Sequence, residues 1–459
     1  MMKQDTICAV STPFGISGIG IVRLSGPDAY SIIRKIFVPA RRTDMMEVPS
    51  HTVHYGHIVD GKKTVDEVLV TVMRRPRSYT REDMAEIGCH GGIVPLKEVL
   101  SLCIRSGARE AEPGEFTRRA FLNGRIDLAQ AESVIEIISS KTERALEISL
   151  RKLKGSLSSP LHDMETSLAG ILAGIEARID FPEEEEVDSF DPETLKGISR
   201  IVSSIDGVLS RAGKGKILQQ GINAAITGRV NSGKSSLLNY LTKEDRAIVT
   251  DVPGTTRDAI QETINIRGIP INIIDTAGIR KVRGIVEKMG VDRAIEWMEK
   301  AEINLIMLDG SRKMNEYDRQ LLRHVRGRNY VILINKADLP LKVEKRRLEK
   351  EFSPDRIIMI SAKTGAGIPE LEERIYDLIR MGYGEMKGDE IFLNMRQYGK
   401  IREIRKMLLT VEKEIRQDMT AEIIAEGLRS CLKKLDELTG RNVSEDILDQ
   451  IFSRFCIGK

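Results

Sequence analysis

The sequence predicts a multidomain α/β protein: a mixed α+β N-terminal domain, a helical bundle domain, and an α/β domain inserted into the helical one. Three observations carry this. Short strand-like runs open the chain. A helical apolar period then takes over, switches to six short apolar runs near Gly221, and returns after Gly384. Neither helical stretch can bury its stripe alone, so the two pair across the insertion. The boundaries read 1–122, 123–219, 220–384 and 385–459.

Taken in order, IGIVRLSG, HTVHYGHIVD and VDEVLVTVM read as strands, rich in Val and Ile and bounded by Gly or polar turns. A helix is predicted from Gly92 to Ser106, and Thr80 with Asp83 resembles a capping box opening a short turn or helix. From Leu146 to Ile179 apolar residues recur every three or four positions, which predicts one long helix ending before the acidic FPEEEEVDSF. A second stripe follows at Ile198, Ile201, Ile205 and Val208. INAAIT, ETINIRG, INIIDT, INLIML, YVILIN and RIIMIS then alternate with helical stretches, the pattern of a mostly parallel sheet. Beyond the insertion, Ile401, Ile404, Leu408, Val411 and Ile415 restore helical spacing.

Charge is balanced, with 71 Lys and Arg against 68 Asp and Glu, so composition gives no global argument for nucleic acid. Five widely spaced cysteines, with no CxxC, argue against a disulfide framework or structural zinc and fit reduced thiols in a cytoplasmic protein. The N-terminus lacks the apolar run of a signal peptide, and no stretch is apolar enough to span a bilayer. The terminal CIGK outlines a prenylation box, but a final Lys and the lack of a preceding polybasic stretch set lipidation aside.

The strongest chemical signal is GRVNSGKSS, Gly228 to Ser236, which matches GxxxxGK[ST] between a predicted strand and a predicted helix. Its glycines let backbone N–H groups approach phosphates; Asn231, Ser232, Gly233, Lys234, Ser235 and Ser236 line the loop. Lys234 neutralises the β and γ phosphates, and the Ser235 hydroxyl can coordinate Mg²⁺. DTAG (Asp275, Thr276, Ala277, Gly278) ends a strand where Asp275 can reach Mg²⁺ through water. In NKAD, Asn335, Lys336 and Asp338 follow another strand, and Asp338 can pair with guanine's ring N–H and amino donors. Ser361, Ala362 and Lys363 support the base. These stretches make GTP the expected nucleotide, and in this order on alternating strands they resemble the Ras-like P-loop GTPases over about Gly221 to Gly384.

Between these motifs lies TDVPGTTRD, where Thr256, or alternatively Thr255, can complete the Mg²⁺ shell. Ile279 stands directly after DTAG, where Ras-type GTPases carry a water-orienting Gln. Two groups can compensate: Asn231 toward a monovalent cation beside the phosphates, and Glu287 toward a water. Exposed Glu residues on such segments are usually only solvated.

GTTRD, the aliphatic residue after DTAG and the P-loop Asn, with RLSG, EIGCHGG, PGEFTRRAFLNGRIDLAQAE and the terminal FCIGK, resemble the tRNA-modifying GTPases of the MnmE/TrmE family along essentially the whole chain. The resemblance implies a folate-binding-like N-terminal domain that mediates homodimerisation. It places Arg23, Glu86, Arg125 and Lys459 on a tetrahydrofolate derivative, the 5,10-methylene or 5-formyl form. Arg125 stands where some relatives carry Lys. It places Asn231, Thr250, Val252 and Thr255 on K⁺, Ser235 and Thr256 on Mg²⁺, and Glu287 on the catalytic acid position. It further implies a flavin- and NADH-dependent partner in a heterotetramer. Together the two add an aminomethyl or carboxymethylaminomethyl group to the five-position of the wobble uridine of tRNA. On residue chemistry alone Arg23 and Glu86 read as an ordinary ion pair, and His90-Gly91-Gly92 as a tight turn. Cys456 stays open between chemistry on the uridine and packing at a helix end. A ribosome-assembly GTPase and a signalling switch are the competing classes, which the nucleotide motifs alone do not exclude.

Overall fold

The computed structural model describes residues 5–180, 192–243, 262–274, 288–386 and 388–459. No described helix is long and apolar enough to cross a membrane. The chain divides into two compact units. One holds Met1–Ile135, Leu153–Ser189 and Glu414–Lys459; the other holds Glu136–Lys152 and Phe190–Lys413.

The first unit is built on strands β1 (Ile7–Val10), β2 (Ser17–Ser25), β3 (Phe37–Pro39), β4 (Thr52–Asp60), β5 (Lys63–Met73), β6 (Met84–Gly91) and β7 (Arg109–Glu110). They form one sheet in the order β3-β4-β5-β6-β2-β1-β7. Pairing is antiparallel except between β1 and β7. Alternation selects the faces: Val68, Val70 and Val72 of β5 turn inward, while Leu69 between them is exposed. The inward residues pack with helices Ala29–Ile36 and Ile93–Arg105, together with the buried Cys8 and Cys103. Of the turn or helix expected at Thr80 and Asp83, the structure has the turn and not the helix. The Thr80 hydroxyl bonds the Ser25 hydroxyl at 2.6 Å and accepts the Glu82 N–H at 3.2 Å, which holds a bend between two strands instead.

The single long helix expected from Leu146 to Ile179 is two helices, Glu143–Leu153 and Ser158–Asp180. Gly155 between them has φ +97°, a conformation that ends a helix, and the Gln130 amide donates to the Leu153 carbonyl at 2.9 Å. The apolar spacing continues through the break, which hides it in the sequence. Within this unit Ser158–Asp180 packs on Ala421–Thr439, a helix from beyond the insertion. Arg429 pairs with Glu176 at 2.9 Å, and Arg441 with Glu165.

The second unit holds β8 (Ile222–Thr227), β9 (Glu262–Ile266), β10 (Ile269–Ile273), β11 (Ile303–Asp309), β12 (Tyr330–Asn335) and β13 (Ile357–Met359). The sheet order is β13-β12-β11-β8-β10-β9, parallel except for the β9–β10 hairpin. Both faces are buried, so strands read as unbroken apolar runs. Leu305, Met307, Val331 and Leu333 pack on one side, and Ile306, Leu308, Ile332 and Ile334 on the other. Helix Pro192–Gln220 precedes the sheet and Met395–Arg416 follows it; Arg405 and Asp206 join them at 3.1 Å.

Candidate functional site

Strand β8 delivers the chain into the loop Gly228–Gly233 and the helix Lys234–Lys243. The loop needs left-handed backbone at Asn231 (φ +64°), which Asn tolerates, and at Gly233 (φ +103°). At Gly233 a Cβ would stand 2.0 Å from the Asn335 amide nitrogen. The Lys234 ammonium donates to the Gly228 and Arg229 carbonyls at 2.7 and 2.8 Å, which curls it over the loop. Burial pushes its pKa down to about 8. Ser235 and Ser236 are exposed on the first helical turn, and the buried Ser232 hydroxyl has no hydrogen-bond partner among the described residues.

Asn335 ties three parts together. Its amide donates to the Ser232 carbonyl at 2.7 Å, and its carbonyl oxygen accepts the Ala362 N–H at 2.9 Å. The Asn335-Lys336-Ala337-Asp338 segment and Ser361-Ala362-Lys363 are thus anchored to the phosphate loop. Asp338 is exposed and receives the Ser361 hydroxyl at 2.7 Å, which holds its carboxylate below the usual range. Lys336, in left-handed backbone, ion-pairs with Asp309 at 2.7 Å. Burial works to raise the Asp309 carboxyl, but hydrogen bonds from Lys336 and Ser311 outweigh it and leave the group lowered.

Asp309 escaped the sequence reading, although its place at the end of β11, directly before Gly310, puts it on the functional edge of the sheet. Arg229 and Asp318 were missed as well. They pair at 3.7 Å and connect the phosphate loop to the helix Glu316–His324, which Asp318 helps cap. Burial raises the Asp318 carboxyl. Thr250, Val252, Thr255, Thr256, Asp275, Thr276, Ala277, Gly278 and Glu287 lie outside the described residues.

A second cluster sits in the first unit. Arg23 and Glu86 face each other directly across β2 and β6 and pair at 2.8 Å. Arg23 also donates to the Gly458 carbonyl at 3.0 Å, and its guanidinium lies 5.7 Å from the Tyr79 ring and 5.6 Å from Phe116. Arg125 stacks on the same Tyr79 ring at 4.7 Å. The chain end is docked: Leu448, Phe452 and Phe455 pack with Ala120, Ile126, Leu128 and Ala131, and the Gly114 N–H donates to the Cys456 carbonyl at 3.3 Å. Docking brings Lys459 to the Arg23–Glu86 pair. Burial and Arg23 lower the Lys459 amine, while Glu86 and Cys456 oppose the shift. Arg23, Glu86, Arg125 and Lys459 are therefore brought together. Of the five cysteines, Cys456 alone is exposed. His90 and Gly91 close strand β6, and Gly92 caps the next helix in place of the expected tight turn; the His90 ring meets Asp66 at 2.6 Å.

A phosphate loop on a largely parallel sheet, with Asn-Lys-x-Asp and Ser-Ala-Lys at neighbouring strand ends, defines a Ras-like P-loop GTPase domain, a GTP hydrolase. Family models match as the GTP-binding protein TrmE N-terminus over residues 6–125 and the MnmE helical domain over residues 128–456. The tRNA modification GTPase MnmE of Thermoanaerobacter pseudethanolicus is 45% identical, with 100% of both chains covered. That of Geobacillus thermodenitrificans is 43% identical at the same coverage. Among solved structures, the G domain of the T. maritima FeoB iron transporter aligns with 34% of this chain and 98% of its own, at 22% identity and a TM-score of 0.26. The chain belongs to the MnmE family of tRNA modification GTPases.

Proposed function

We propose that this protein couples GTP hydrolysis to modification of the wobble uridine of tRNA at its five-position, using a one-carbon unit from a tetrahydrofolate derivative. The observation that carries the folate part is the convergence of Arg23, Glu86, Arg125 and Lys459, drawn from two strands, a loop and the docked tail. Guanidinium and ammonium groups suit the folate's carboxylates, Glu86 suits the donor edge of the pterin, and Tyr79 offers a flat apolar surface. The folate supplies a transferable one-carbon unit at this position. A ribosome-assembly switch has no evident use for such a cluster.

In the nucleotide domain Lys234 neutralises phosphate charge, and Asp338, oriented by Ser361, selects guanine. Ser235 and Thr256 are assigned to Mg²⁺, and Asn231, Thr250, Val252 and Thr255 to K⁺. The cations would supply positive charge where negative charge develops on the phosphate oxygens in the transition state. Glu287 is assigned to orient the attacking water. We assign the protein to the cytoplasm as a homodimer whose flavin- and NADH-dependent partner carries the redox chemistry. The domain assignment 1–122, 123–219, 220–384 and 385–459 belongs to the same reading.

The deciding experiment is mass analysis of wobble nucleosides in tRNA from a strain lacking the protein, complemented with wild type or with Glu86→Gln. Loss of the modified uridine in the deletion, and its absence with Glu86→Gln while GTP turnover persists, is expected. Unchanged nucleosides in the deletion overturn the reading. Glu287→Ala should lower GTP turnover by about 10²–10⁴-fold with little change in affinity; near-normal turnover removes Glu287.

A further inference from the structure

The nucleotide domain carries a concentration of positive charge that the balanced whole chain conceals. Residues 312–351 hold twelve Lys and Arg against six Asp and Glu, whereas the net charge of all 459 residues is only +3. Within this segment Arg319, Arg323, Arg326 and Arg347 line one cavity of about 130 Å³, floored by apolar residues that include Leu322 and Phe352. Arg326 stands over the Phe352 ring at 5.3 Å.

These guanidiniums are poised but not locked. Arg319 lies 3.8 Å from Glu316, which also holds Arg323. Glu351 takes Arg326 at 3.3 Å and Arg347 at 3.7 Å, and Glu344 meets Arg347 at 4.0 Å. All of these side chains are at least 46% exposed, and exposed pairs hold their partners weakly. Lys313, Lys342, Arg346 and Lys350 add charge without any ion-pair partner among the described residues. The positive charge is thus in surplus. Shared carboxylates keep the forks oriented, and an incoming anion can displace them at little cost.

The geometry points to a binding face for the phosphodiester backbone of RNA, centred on this cavity. This rests on the tRNA reading above and names a surface for it. Four guanidinium forks, two on the helix Glu316–His324, one in the turn after it and one on the helix Lys345–Glu351, fit a row of phosphates better than one small anion, and planar forks match phosphate oxygens bidentately. Such contacts release counterions, so they carry a salt signature.

The test measures binding of an unmodified tRNA transcript to the full-length protein by fluorescence anisotropy across a salt series. Arg319→Gln/Arg323→Gln/Arg347→Gln should weaken binding by about tenfold or more. The slope of log affinity against log salt should flatten by about two to three. Replacing the same three with Lys should retain most of the slope. GTP turnover and the Trp297 unfolding transition report that the variant is folded. Should the triple variant fail them, Arg323→Gln alone is expected to flatten the slope by about one. Unchanged affinity and slope, with wild type binding tRNA, overturn this site alone. A wild type that hydrolyses GTP yet binds no tRNA overturns the tRNA reading and the site with it. Loss of poly-glutamate binding without loss of tRNA binding overturns it in favour of an acidic protein partner.

Discussion

Lys234 shows how a single residue is prepared for its ligand. An ordinary lysine titrates near 10.4, but burial brings this one to about 8. The cost falls on the charged form. Between about pH 8 and 10 the folded chain therefore binds fewer protons than the unfolded chain. Stability gained from this group is present above the unfolded pKa and is lost as pH falls through the folded one. A phosphate beside the ammonium reverses the preference. At about pH 9 nucleotide binding should take up close to one proton from solvent, and near pH 7 almost none. Calorimetry in two buffers of different ionisation enthalpy measures this directly. Equal, near-zero uptake at both pH values would show that the amine stays charged in the ligand-free protein. Cys456 offers a second check at this scale. As the one exposed thiol of five, it should react with a chromogenic disulfide within seconds to minutes, with the others protected until the chain unfolds. Five fast equivalents would contradict the buried positions of the rest.

Elements were legible where one physical rule acted alone. The strands of the nucleotide sheet are buried on both faces, so their apolar runs stand out. The phosphate loop was legible because its chemistry fixes both spacing and context. The break at Gly155 was not, because apolar residues keep helical spacing on both sides of it. The cluster around Arg23 could be assembled only by resemblance, since Glu86 and Arg125 lie dozens of positions from it and Lys459 hundreds, and Arg23 and Glu86 pair across a sheet. The arginine-lined cavity was hidden because Arg347 joins it from a helix some twenty positions beyond Arg319, Arg323 and Arg326, and the rest of the chain cancels their charge. The docked tail makes the clearest prediction at this scale. Gly458 has φ +90°, and a Cβ there would stand 2.4 Å from the Val10 carbonyl oxygen. Gly458 also takes hydrogen bonds from Ser11 at 3.1 Å and Arg23 at 3.0 Å. Gly458→Val should release the tail. Amide exchange at Gly114, whose N–H bonds the Cys456 carbonyl, should quicken by about tenfold, while helix Ser158–Asp180 stays protected. Unchanged exchange at Gly114 would mean that the tail is held without Gly458.

At the scale of the whole molecule, the packing of the nucleotide sheet reaches beyond the segment that carries its motifs. Its core takes in Ile148 from the helix Glu143–Leu153, Ile217 and Leu218 from the helix before β8, and Phe392 after the last helix of the insertion. The helix bearing Ile148 is further tied to the sheet by the Thr142 hydroxyl, which donates to the Gly268 carbonyl at 2.9 Å. Lys141 reaches Thr263 and Asn272 at 3.2 and 3.3 Å, its amine lowered by burial. An insertion whose core borrows residues from its host should depend on them for stability. Ile148 is 2% exposed, so Ile148→Ala should cost about 2–5 kcal/mol, although it lies 80 positions before Gly228. The chain's single Trp, Trp297, sits on the helix Lys288–Lys300 of the same unit and reports that unit's unfolding. Its urea transition should move to lower denaturant, and saturating GDP should recover part of the loss through binding to the folded form. A midpoint that stays in place after Ile148→Ala would mean that the nucleotide domain folds on its own segment and that the contact with its host is only surface packing.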